Sequence, residues 1–462
     1  MPPLGGHTLF LFLLQIGVLL LAALILGQLA NRLGMPRIVG ELLTGIVLGP
    51  SLLGNVAPTW FATLFPQQSE QMQPLDAFGQ VGCVLLVGLT GLQLDLALVK
   101  RRGGTAVKIS LPGLVIPLGL GIGAGSLVPA SLLADSSQRA VFAGFLGVAL
   151  CVSAIPVIAK TLIDLKLMHR NIGQLILVSS TVDDVLGWLG LSIVTAMATT
   201  GLRAGAVLLS ISTLAAFLVV ASLVGRPLVT AGLRAAERSG GTTPAVLAVV
   251  VILTTSAITQ RLGLEAVFGA MVAGIVLRAA DVDIQARLAP VRLVVMAILA
   301  PVFFAMTGLR MDLSALANPI VLAFFPALLA IAVVGKFAGA FLGAWTSGLN
   351  RWEGLALGAG MNSRGIVEVV VATTGLRLGV LTTETYTVIV LIAIITSVMS
   401  PPILRLAAAR IAETSEEQTR LRSLDPREVD NSSSKYGKRN PATDAVSEGH
   451  PGPTHRGPER TA

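Results

Sequence analysis

The sequence predicts an all-α polytopic membrane protein with about thirteen transmembrane helices, two of them broken. Three observations carry that prediction. Of 462 residues, 53% are hydrophobic and only 13% charged, whereas a soluble domain carries about 25% charged residues. The apolar residues gather into runs of spanning length instead of alternating at the period of a strand. The Lys and Arg between the runs are plentiful in one set of loops and sparse in the other, as in a chain that crosses a bilayer repeatedly. The net charge of +8 is scattered among apolar runs and not clustered with aromatics, which argues against a nucleic-acid partner.

The apolar segments fall at 8–30, 38–54, 76–99, 105–128, 139–162, 172–199, 204–224, 244–260, 266–278, 291–309, 319–346, 353–375 and 384–406. The first opens without a basic stretch and runs on to Ala30, so a spanning helix is expected there and not a cleaved signal peptide. The second and ninth are short for a hydrocarbon core of about 30 Å, which implies tilt or partial burial. In the fourth, GLGIGAG at 119–125 has no strand before it and reads as small residues for helix packing, not as a phosphate loop. The two cysteines, Cys83 and Cys151, lie inside apolar runs, so neither a disulfide nor a metal site is expected of them. Loops after odd-numbered segments hold sixteen Lys and Arg, and those after even-numbered segments hold five. This predicts an N-terminus outside and a C-terminus in the cytoplasm. From about Ala407 the chain turns to Ser, Pro, Gly and mixed charge, and 407–462 is expected to be a disordered cytoplasmic tail.

Four segments carry chemistry. In the sixth, Asp183 and Asp184 stand side by side near the middle, where each carboxylate costs about 2.5–3.5 kcal/mol to insert. An ion and proton site accounts for them; a buried structural ion pair is the alternative. In the eleventh, Lys336 lies well inside IAVVGKFAGAFLGAW, and Asp183 or Asp184 is its expected partner because buried charges pair. Gly335, Gly339 and Gly343 recur around it at every fourth position and make a face for close helix approach. The twelfth holds GMNSRGIVEVV, in which Asn362, Ser363, Arg364 and Glu368 surround Gly365. Arg364 and Glu368 stand four apart and can neutralise each other on one helix face, while the polar interruption itself looks like a helix broken at membrane depth. The fifth holds ALCVSAIPVIAK, where Pro156 removes a backbone hydrogen bond and Ser153 offers a hydroxyl to a hard cation or to the backbone. A broken helix then a charged one (fifth, sixth) mirrors a charged helix then a broken one (eleventh, twelfth), as in an inverted repeat. Asp95, Asp164, Glu265 and Asp312 fall at segment ends, where water is expected to reach them. Glu41, at the start of the second segment, reads as a helix-end contact. Neither a cofactor motif nor a cluster for a polyvalent metal is present, so no cofactor is expected.

GMPRIVGELLTGIVLGPSLLG (34–54), SAIPVIAKTLIDLKLMHRNIGQLILVSSTVDDV (153–185), FGAMVAGIVL (268–277), PVFFAMTGLRMDLSAL (301–316), GKFAGA (335–340) and GAGMNSRGIVEVVVATTGLRLGVL (358–381) resemble monovalent cation/proton antiporter family 2. That family includes the bacterial Nap-type and Kef-type transporters and the plant cation/proton exchangers. The resemblance implies the inverted-repeat sodium/proton antiporter fold and a homodimer in the plasma or inner membrane that exchanges Na⁺ or K⁺ for H⁺. It implies dimerisation and scaffold helices at 1–104 and 204–318, and an ion-transporting, elevator-like core at 105–203 and 319–406. By position, Asp184 becomes the main cation and proton carboxylate, Asp183 the partner of Lys336, and Ser153 a neighbour of the cation. Asn362, Ser363, Arg364 and Glu368 become the supporting polar cluster. Paired aspartates with an intramembrane lysine look like the electrogenic members. Two departures stand out: Ile366 occupies the place where some members have glutamate, with the acid two residues later at Glu368, and the members with RGIVE usually have Asn-Asp where this chain has Asp183 and Asp184. The Kef-type nucleotide-binding tail has no counterpart here, so gating of that kind is not expected. The rivals are a cation channel and a non-transporting membrane sensor on the same fold. A membrane enzyme has no nucleophile–base pair, metal cluster or phosphate motif behind it.

Overall fold

The computed structural model describes residues 5–66, 69–93, 96–200, 204–239, 241–280 and 284–418. Asp95 and the tail after 418 lie outside them, so the expectations for those parts find no structure to meet. The chain separates into Met1–Ala412, which holds the helical body, and Glu413–Ala462.

Long apolar runs must satisfy their backbone groups internally in a bilayer, and no strand occurs among the described residues. The helices are α1 Gly6–Arg32, α2 Arg37–Leu48, the short α3 Leu53–Val56 and α4 Pro58–Leu64, α5 Ser69–Gln93 and α6 Leu96–Leu127. A broken pair follows, α7 Arg139–Cys151 and α8 Ile155–Asp164, then α9 Asn171–Thr200. Next come α10 Ala204–Val220, α11 Arg226–Ser239, α12 Thr243–Arg261, α13 Ala266–Arg278, the short α14 Ile284–Arg287 and α15 Ala289–Val294, and α16 Ala300–Leu309. The chain closes with α17 Pro319–Thr346, the second broken pair α18 Arg351–Met361 and α19 Ile366–Arg377, and α20 Thr383–Ala408. Local chemistry sets several of these starts. Asn350 and Glu353 form a capping box at α18, and the Asn318 side chain caps α17 ahead of Pro319 at its first position.

Among the described residues, ten helices are long and apolar enough to cross a membrane, or eleven with the α18–α19 pair, which bends by 44°. The expected count of about thirteen is therefore not reached by this measure. The two that fall short are the fifth segment, which the break divides into α7 and α8, and the ninth, which as α13 has 13 residues. The seventh departs the other way. Its helix does not stop near 224 but passes through a π turn at Ala221–Gly225 into α11. Arg226, Arg234 and Arg238 marked that stretch as loop, yet they lie on a helix whose face is polar.

Helices α6, α7, α9 and α17 to α20 pack on one another, while α1, α2 and α5 pack with α12, α13 and α16. The expected glycine face is used for the first of these groups. A Cβ at Gly339 would overlap the Pro112 carbonyl of α6, and one at Gly335 would meet Pro117. α17 therefore lies backbone to backbone against α6, which brings Lys336 to the centre of this group.

Candidate functional site

The two breaks cross. Between α7 and α8 the chain is extended at Val152 and Ala154, and the gap between α18 and α19 runs through Asn362 to Gly365. The Ala154 N–H donates to the Ser363 carbonyl at 2.9 Å. A Cβ on Gly365 would lie 2.8 Å from Val157 and 3.2 Å from Ala154, so the close approach requires glycine at that position. This crossing links the halves of the repeat.

A helix that ends inside a membrane leaves its last carbonyls without partners. At α7 two cations supply them. Arg364 donates to the carbonyls of Ala149 at 2.8 Å and Leu150 at 2.6 Å, and Lys336 Nζ donates to the Cys151 carbonyl at 2.7 Å. Both charges thus sit at the negative end of the helix dipole. Arg364 also faces Glu368 at 3.5 Å with both side chains 1% exposed. The pair expected from sequence exists, but the guanidinium spends its shorter bonds on α7.

Lys336 meets Asp183, with Nζ 2.6 Å from Oδ2 and both side chains fully buried. The hydroxyl of Ser153 lies 2.9 Å from the same oxygen and 2.7 Å from the Met361 carbonyl, its one hydrogen serving one of them at a time. The Ser110 hydroxyl of α6 bonds Oδ1. Sequence reasoning missed Ser110; its signal is a lone hydroxyl two residues before Pro112 in an apolar run. Asp183 is therefore bonded on both oxygens.

Asp184 differs. It is 1% exposed, and among the described residues neither oxygen has a side-chain hydrogen-bond partner. The backbone N–H of Ile155, in the first turn of α8, faces it. Nearby in sequence or across the break, the side chains of Ser179, Ser180, Asn362 and Ser363 are also buried without a hydrogen-bond partner among the described residues. The structure thus joins Asp183, Lys336 and Ser153 directly, and among the described residues it leaves the Asp184 carboxyl and the side chains of Asn362 and Ser363 without a side-chain partner. Ser153 bonds Asp183 and not Asp184. The chemistry available is that of hard oxygen donors in a dry interior, which suits a proton or a monovalent cation. No group of three or more metal-ligating side chains occurs among the described residues.

Glu265 corrects an expectation. It is 4% exposed instead of reached by water, because Arg377 donates to both its oxygens at 2.9 and 3.0 Å. The pair ties α19 to the start of α13, and the Tyr386 hydroxyl ties α20 to the Thr307 carbonyl of α16 at 2.8 Å. Beside these ties lies a cavity of about 810 Å³ whose walls include Asp76, Gln260, Glu265, Thr373 and Arg377. Burial raises the Glu265 carboxyl above its usual value, and Arg377 opposes the rise.

A family model described as sodium/hydrogen exchanger, transmembrane, matches residues 18–409. The chain belongs to the transmembrane sodium/hydrogen exchanger family. The chain is 32% identical over 403 residues to "Cation/H(+) antiporter 17" of Arabidopsis thaliana, a match that covers 86% of this chain and 48% of that protein. The chain thus spans about half the length of that relative. It is 31% identical to "Na(+)/H(+) antiporter NhaS4" of Synechocystis over 86% of this chain and 97% of the relative. With "Na(+)/H(+)-K(+) antiporter GerN" of Bacillus cereus it shares 29% identity over 86% of this chain and 96% of the relative. The solved structure of the sodium proton antiporter MjNhaP1 from Methanocaldococcus jannaschii superposes with a TM-score of 0.65 at 17% identity, covering 87% of this chain and 99% of that one. That likeness shows the fold. The chain is a multi-pass integral membrane protein of a transporter family.

Two outcomes are expected from this geometry. Lys336→Ala leaves the Asp183 charge buried with hydroxyls alone, so it should destabilise the protein by about 3–5 kcal/mol. Lys336→Met with Asp183→Asn should lose less than the two single losses combined, in unfolding of the detergent-purified protein. Arg377→Ala removes the cation that favours the charged form of Glu265. The sign follows: with the Glu265 carboxyl raised further in the folded variant, the penalty is small where glutamate is protonated and grows as the pH rises. The thermal midpoint of Arg377→Ala should lie near wild type at acid pH and below it at mildly alkaline pH.

Proposed function

We propose that the exchanger is a secondary active antiporter that trades Na⁺ or K⁺ for protons across the plasma or inner membrane by alternating access. The observation that carries this reading is the contrast between two adjacent buried carboxylates, one bonded on both oxygens and one with no side-chain partner among the described residues. A carboxylate charged in a dry interior with no side-chain partner, and only the Ile155 amide facing it, is costly. Asp184 therefore favours a bound proton or a bound cation, and one excludes the other. If the core moves only when Asp184 is occupied, exchange needs no separate coupling device.

In this reading Asp184 is the transport carboxylate. Asp183 and Lys336 hold the site together and contribute the second charge of an electrogenic cycle, and Ser153 orients Asp183 beside the cation. Asn362 and Ser363 offer further oxygens, and Arg364 with Glu368 braces the crossing. Residues 105–203 and 319–406 form the moving core, and 1–104 and 204–318 the scaffold of a homodimer. The division is supported by the two packing groups of helices and by the ties at Arg377–Glu265 and Tyr386–Thr307, which such a movement would break and remake. The N-terminus lies outside and the C-terminus in the cytoplasm, from the loop charges. The names of relatives support both ions: Na⁺ in NhaS4, Na⁺ and K⁺ in GerN, and K⁺ in the "K(+)/H(+) antiporter 1" of Saccharomyces cerevisiae.

The test uses inverted membrane vesicles from a host without its own antiporters, with a respiration-driven pH gradient followed by dye fluorescence. Addition of Na⁺ or K⁺ should collapse the gradient with wild type and not with Asp184→Ala. Full activity of Asp184→Ala would overturn the assignment of that residue, and no response of the folded wild type to either ion would overturn the antiport reading.

A further inference from the structure

Away from the crossing, α1, α2 and the α15–α16 stretch enclose a groove of about 460 Å³. Arg37 and Arg292 line it together with one acid, Glu41. Arg37 faces the Glu41 charge one turn further along α2, and Arg292 adds a second guanidinium to the same wall. Arg37 opens α2 and Arg292 lies on α15, and the loop charges put both on one membrane face. The rest of the wall is apolar, and part of it is open to the surroundings: Leu24 is 48% exposed, Leu293 68% and Met296 50%. On a helix that stands in a bilayer these side chains meet acyl chains.

The groove therefore combines two features at one depth. Two planar guanidiniums against one carboxylate leave a net positive charge with donors suited to phosphate oxygens. Directly beside them runs an apolar slot that water does not favour. A free anion uses only the first feature and a neutral lipid only the second. We propose that this groove is a binding site for an anionic glycerophospholipid, with its phosphodiester at Arg37 and Arg292 and an acyl chain along Leu24, Leu293 and Met296. The proposal does not rest on the transport reading. The lipid would pin α1 and α2 to the α15–α16 stretch.

The test is native mass spectrometry of the full chain in detergent, with phosphatidylglycerol, phosphatidylcholine of the same chains, or inorganic phosphate added. Wild type should retain phosphatidylglycerol over phosphatidylcholine, and Arg37→Gln with Arg292→Gln should weaken that retention about thirty-fold, two arginines acting at a charged membrane surface. Arg351→Gln, an exposed arginine elsewhere, should bind as wild type. Leu24→Trp with Met296→Trp keeps both arginines, fills the slot and should also lose the lipid. Folding of each variant is checked by circular dichroism. Equal retention of the two lipids, wild-type retention by the double arginine variant, or loss in Arg351→Gln would overturn the proposal. So would displacement of the lipid by an equal concentration of inorganic phosphate, or a cross-link between Leu24→Cys copies that excludes the lipid, since the occupant would then be a free anion or a second chain.

Discussion

A helix that stops in the middle of a bilayer frees backbone carbonyls where no water can take them up, and this constraint organises the centre of the molecule. The last turn of α7 exposes the carbonyls of Ala149, Leu150 and Cys151, and Arg364 and Lys336 bond them. Two cations buried at one helix end demand anions nearby, which Asp183 and Glu368 supply. The break, the cations and the acids are thus one electrostatic unit. Its residues come from α7, α9, α17 and the α18–α19 break with the first turn of α19, so none of these parts can be placed without the others.

That unit explains how adjacent aspartates take different parts. Asp183 is claimed by the lysine and two serine hydroxyls, while Asp184, one residue on, is turned 100° around α9 and faces only the amide at the start of α8. The same discontinuity that frees carbonyls at the end of α7 presents amides at the start of α8, a positive helix end that favours an anion. On the proposed reading, the structural carboxylate and the transport carboxylate are separated by the local geometry of one broken helix.

Much of this was legible in the sequence. Charges and a proline inside apolar runs are costly enough to mark themselves, so Asp183, Asp184, Lys336 and both breaks could be placed before any coordinates. The glycine period at 335, 339 and 343 gave the close face of α17, although not its partner α6. Which aspartate meets Lys336 was left open by the residues themselves and was settled only by the resemblance, because a residue's position around α9 relative to α17 is a tertiary fact. Ser110 escaped because a single hydroxyl in a membrane helix usually bonds its own backbone. Glu265 was misjudged as open to water because burial at the end of a segment depends on what packs over it, here Arg377 from a distant helix. The expected count of about thirteen is not reached by length and composition among the described residues, because α7, α8 and α13 are each shorter than a span.

The central claim is that proton and cation compete for Asp184. Calorimetry of Na⁺ and K⁺ binding to the purified protein, carried out in two buffers of different protonation enthalpy, tests it directly. The account predicts a binding heat that differs between the buffers, because each cation bound releases a proton, and loss of both binding and proton release in Asp184→Asn. Cation binding with no proton release, or binding that survives intact in Asp184→Asn, would contradict it.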